Sequence, residues 1–87
     1  MHTEVDKPLV NADIQRMIEF RTILEKMRNE NSHTKELENK LLKCFFNLNT
    51  DHKKEIRNIT SNITTAFNND HVREALIAFA YSKSSQN

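Results

Sequence analysis

Residues 51–83 read DHKKEIRNITSNITTAFNNDHVREALIAFAYSK, and this stretch decides the fold. Ile56, Ile59, Ile63 and Phe67 fall three and four apart. After Asn68-Asn69-Asp70 the same spacing returns in Val72, Ala75, Leu76, Phe79 and Ala80. Apolar side chains at that interval line one face of an α-helix, so the spacing predicts helices over 51–68 and 70–82 with a short break between them. Two helices so joined fold back on each other or cross sharply, and the other elements pack around them. A strand reading of Asn58–Thr65, which is rich in β-branched residues, fails because the apolar positions do not alternate. The same residues are poor helix formers, so this third helix depends on its packing partners.

Composition points the same way. Glycine is absent and Pro8 is the only proline, whereas 87 residues of ordinary composition would hold about six glycines. Hairpins, phosphate-cradling loops and dinucleotide sites all lean on glycine, so β folds and nucleotide-binding loops are disfavoured.

Upstream, Val10, Ile14, Met17, Phe20, Leu24 and Met27 form a helical stripe, with Asn11 as a cap, and predict a first helix over 11–29. Leu37, Leu41, Phe45 and Leu48 predict a second over 33–48. Residues 1–9 lack periodicity and read as a flexible arm, and residues 84–87 as a polar tail. Residues 10–83 then make one all-α domain, a small bundle of about four helices.

That bundle has an unusual apolar distribution. Only 37% of the chain is apolar, below the roughly 45–50% of ordinary domains even when that figure's glycine share is discounted. Yet six of the eight residues Leu41–Leu48 are apolar, and Ala75–Tyr81 is apolar on every side. A chain this short buries only about 60–65% of its unfolded surface. Few but concentrated apolar residues suggest a patch shared between chains, so a homodimer or an obligate partner is expected to complete the bundle. The candidate interface residues are Leu42, Phe45, Phe46, Ile77, Phe79 and Tyr81.

A second candidate is polar. His52, Lys53, Lys54 and Arg57 place cations in the first turns of a helix, where the macrodipole disfavours them. Such a corner could receive an acidic partner surface or a phosphate, although solvated surface charge is the plainer reading. The segments Asp51-His52-Lys53-Lys54-Glu55 and Asp70-His71-Val72-Arg73-Glu74 resemble each other. Shared helix-start chemistry, with Asp as the cap, explains this more simply than a duplication.

Other chemistry finds little purchase. His2, His33, His52 and His71 are scattered without metal-ligand spacing, so neither a metal nor a cofactor is expected. Cys44 lies among leucine and phenylalanine and reads as a buried structural residue in a reducing compartment. Asn58-Ile59-Thr60 and Asn62-Ile63-Thr64 match the glycosylation pattern, but they fall on a predicted helix and no secretory leader is apparent. No run of apolar residues is long enough for a membrane span. The formal charge is +1, with eight bases and eight acids in residues 1–43 and five bases and four acids in residues 44–87. That balance gives no support to nucleic-acid binding.

These features predict a small non-enzymatic, cytoplasmic regulator or adaptor that binds another protein through an apolar helical surface. Inhibitors, chaperone-like proteins and connector proteins of bacterial, plasmid or phage origin share this size and style, and the Asn-, Lys- and Ile-rich composition fits such a source. The alternative is a small helical DNA-binding transcriptional regulator using the third and fourth helices, with Lys53, Lys54, Arg57 and Arg73 on phosphates.

Overall fold

The stripe Met17, Phe20, Leu24 and Met27 is buried almost completely, and it makes the first helix the spine of the molecule. The structure is a computed structural model that describes residues 6–30 and 34–84, with side chains from residue 12 onward. Helix α1 (Asp6–Glu30) packs chiefly against α4 (Asp70–Ser84) and then against α2 (Lys35–Asn47). Helix α3 (Thr50–Ile59) and a 3-10 segment (Ile63–Phe67) complete the fold, and no strand occurs among the described residues. The architecture is the small all-α bundle that the apolar spacing predicts.

Helix α1 begins earlier than the cap expected at Asn11. Residues 6–9, expected in a flexible arm, are helical, and Pro8 sits in the first turn, where its missing N–H costs no helical bond. Residues 1–5 and 85–87 lie outside the described residues. At about 1.5 Å per residue the 25 residues of α1 span roughly 37 Å, the longest element among the described residues.

Helix α2 starts where its chemistry requires. Thr34 is extended, and its Oγ1 accepts from the Leu37 amide at 3.2 Å. Glu36 and Glu38 follow in the first turn, where the macrodipole favours acids. Leu37, Leu41 and Phe45 face the core, and Leu48 closes it after the helix ends.

The third helix departs from the reading over 51–68. It stops at Ile59, Thr60 is extended, and the chain re-enters a 3-10 helix at Ile63. The physical cause is local competition for backbone groups. Thr60 Oγ1 donates to the Asn62 carbonyl at 2.9 Å and also lies 3.3 Å from the Asn62 amide. Asn62 Oδ1 accepts from the Thr64 amide at 3.0 Å and from the Thr64 hydroxyl at 2.7 Å. The apolar spacing survives the break: Ile56, Ile63, Ala66 and Phe67 are all buried. A 3-10 helix also brings positions i and i+3 to one face.

The helix caps are Asn49 and Asn69 rather than the expected Asp51 and Asp70. Asn49 Oδ1 accepts from the His52 amide at 2.8 Å, and Asn69 Oδ1 from the Val72 amide at 3.1 Å. Asp51 lies two residues after its cap and Asp70 one residue after its own. The similar segments are therefore out of register by one residue, as independent helix starts would be.

Arg28 meets Glu74 at 3.1 Å and Arg21 meets Ser84 at 2.8 Å, so α1 and α4 run antiparallel. Between α3 and α4 the sense is opposite. The His52 ring stands edge-on to Phe79 with centroids 6.1 Å apart, and Glu55 pairs with Lys83 at 3.3 Å. These pairings advance together along both helices, so α3 and α4 are not the antiparallel hairpin that a short break would make. Residues 60–69 carry the chain back before α4 begins.

Candidate protein interface

The six apolar interface candidates do not form one patch. Phe45 and Ile77 are core residues, only 6% and 4% exposed, which removes them from any surface. Phe79 is half-buried between His52 and the Lys83 ammonium, which lies 5.8 Å from the ring centre. Tyr81 is exposed on α4, with the Arg21 guanidinium 4.2 Å above its ring. Helix α4 is thus buried on one side only, through Leu76, Ile77 and Ala80, while Ala75 and Ala78 are exposed.

Leu42 and Phe46 remain together. They lie one helical turn apart on α2, Leu42 half-buried and Phe46 62% exposed. The Phe46 ring meets Phe45 edge-on at 5.6 Å, which holds it against the helix while leaving its outer face in water. With Arg57, Thr60 and Ile63 they line a shallow pocket of about 200 Å3 between α2 and the end of α3. Arg57 spans this pocket, its guanidinium 5.5 Å from the centre of the Phe45 ring.

The basic corner is divided among separate tasks. Lys53 Nζ donates to the Phe46 carbonyl at 3.1 Å, at the C-terminus of α2. That helix carries no base in its own last turn, so α3 supplies the cation that its negative end favours. A lysine that looks misplaced at the start of α3 is well placed for the end of α2. His52 packs on Phe79 and Arg57 on Phe45, while His52 and Lys54 together border a shallow depression with Asp51, Glu55 and Lys83. The four side chains do not converge on a single anion.

Sequence reasoning missed a second surface. Ile18, Glu19, Thr22 and Ile23 of α1 and Lys40, Lys43 and Cys44 of α2 line an open, mostly apolar trough of about 370 Å3. Its signal was present in Ile18 and Ile23, apolar residues that lie off the core stripe of α1. Cys44 is half-buried here rather than enclosed. Burial, with a smaller contribution from the nearby Glu19 carboxylate, pushes its thiol above the ordinary value of 9.0, so at neutral pH it stays protonated and weakly nucleophilic.

No group of three or more His, Cys, Asp or Glu side chains that could hold a metal occurs among the described residues. His2 and His33 lie outside the residues whose side chains are described. Asn58 belongs to α3, but Asn62 lies in the break, which corrects the helical placement expected of the second glycosylation pattern. No helix among the described residues is long and apolar enough to cross a membrane. Comparison with known proteins finds no matching family model, no matching curated sequence and no matching solved structure.

Proposed function

We propose that this chain is a small non-enzymatic adaptor that binds another protein through the Leu42–Phe46 face of α2. The observation that carries the reading is Phe46. It is a phenylalanine 62% exposed beside a half-buried leucine and an arginine, on a helix whose other aromatic residue is in the core. Aromatic and arginine side chains dominate the energetics of protein interfaces, and exposing a large ring to water disfavours the free chain relative to a complex. The pocket beside it has an apolar floor with Thr60, Ser61 and Asn62 along one edge, the mixture of apolar centre and polar rim typical of interfaces.

The DNA-binding alternative has less support. Of its four phosphate-contacting candidates, Lys53 is bonded to the Phe46 carbonyl, and Arg73 to the Ala66 carbonyl and Asp70. Arg57 lies over Phe45. Residues 60–69 separate α3 from α4, whereas a helix-turn-helix uses a turn of about three or four residues.

Affinity capture from the native lysate tests the proposal, comparing the unaltered chain with Phe46→Ser and with Lys54→Glu. A protein partner retained by the unaltered chain should be weakened about thirtyfold or more by Phe46→Ser, the scale of an interface hot spot, and little by Lys54→Glu. Retention by Phe46→Ser with loss in Lys54→Glu overturns the reading in favour of the basic corner.

A further inference from the structure

The trough between α1 and α2 lies on the opposite flank of α2 from Phe46, because Cys44 is about 200° around the helix from both Leu42 and Phe46. Its lining is mostly apolar, and its charges are unpaired. Glu19, Lys40 and Lys43 form none of the ion pairs seen among the described residues, although the trough has an acid on one side and two bases on the other.

We infer that the occupant of this trough is a second copy of the chain, related by a twofold axis running along the trough parallel to the helices. Such an axis exchanges left and right but keeps height. It lays α1 of one protomer over α2 of the other, in antiparallel sense, and brings Glu19 opposite Lys43 of the partner subunit, twice by symmetry. A twofold axis across the helices would instead set α1 on α1 and oppose like charges, so the charge pattern selects the first arrangement. Ile18 and Ile23 of both copies then close the seam, and the two Cys44 thiols meet near the axis.

The overlap is short. Two helices about 20 Å long and about 10 Å wide present about 400 Å2 per protomer, about half of a standard specific interface and in the range of weak, transient association. Association is therefore expected to depend on concentration. The inference is independent of the Leu42–Phe46 reading, since that surface stays exposed in the dimer.

Sedimentation of the full chain under reducing conditions, from about 1 µM to about 1 mM, measures the association across the affinity range of weak dimers. The unaltered chain and Phe46→Ser should dimerise alike. Ile18→Glu should weaken the dimer at least about a hundredfold by placing two carboxylates in the apolar seam, with helical circular dichroism unchanged. Glu19→Lys and Lys43→Glu alone should each weaken it about tenfold, and the double reversal should return it to within about threefold of the original. Monomeric behaviour throughout this range overturns the inference and leaves the trough to a different protein. A dimer indifferent to Ile18→Glu overturns it equally, because it must then form elsewhere.

Discussion

Arg73 holds the irregular segment of this chain in place, and replacing it with methionine tests how. The side chain is mostly buried, bonds the Ala66 carbonyl through Nη1 at 3.2 Å and meets Asp70 through Nη2. Ala66 is fully buried in the 3-10 segment, so losing the guanidinium leaves its carbonyl without that donor. A hydrogen bond from a charged donor contributes about 1.5–3 kcal/mol. Against this, Arg73 Nε is itself buried without a hydrogen-bond partner, and its removal relieves about 1 kcal/mol. Methionine retains much of the alkyl packing, so the net loss should be about 1.5 kcal/mol, or about 9 °C in Tm for a domain of this size. The ion pair is not the source, because Asp70 is 82% exposed, and exposed pairs contribute about 0–1 kcal/mol. Asp70→Asn should therefore cost no more than about 0.5 kcal/mol. Urea unfolding followed by circular dichroism measures both variants. Equal losses in Arg73→Met and Asp70→Asn would refute the reasoning, since they would place the stabilisation in the ion pair.

Two further outcomes follow from local chemistry. Asn49→Ala should cost about 1 kcal/mol and Asp51→Ala clearly less, because the side chain of Asn49 is the cap; urea midpoints that rank them the other way would restore Asp51 as the cap. Cys44 gives a pH dependence. Its thiol is raised in the folded chain by burial and then by Glu19, so above its ordinary range the unfolded chain loses that proton first and stability falls as pH rises. Stability should be insensitive to this group below about pH 8, and Cys44→Ala should flatten the decline above pH 9 in thermal melts. An identical decline in the variant would assign it to other groups.

Much of the bundle was legible because burial and helical spacing are the same signal. Met17, Phe20, Leu24 and Met27 repeat at the period of a helix, and they are the side chains that α1 buries. Leu37, Leu41 and Phe45 do the same in α2. The break after Ile59 was hidden by that regularity, since Ile56, Ile59, Ile63 and Phe67 sit three and four apart whether or not the helix continues. What breaks it is the bonding among Thr60, Asn62 and Thr64, and spacing carries no record of side chains that take over backbone donors and acceptors. The interface candidates failed in part for a related reason. Phe45 and Phe46 are adjacent and chemically identical, but one points to the core and the other to water.

The sequence by itself determined the class of the molecule: an all-α chain with no glycine, whose apolar residues recur at helical intervals. Only the tertiary structure decided what the residues of 51–83 do. Helix α3 ends early because local side-chain bonds outcompete its backbone. It then runs in the same sense as α4 because ten residues, not two, return the chain. Lys53, which the macrodipole of its own helix disfavours, lies against the carbonyl end of α2. A charge is placed well or badly only relative to neighbours that are distant in sequence, and those neighbours exist only once the helices are packed.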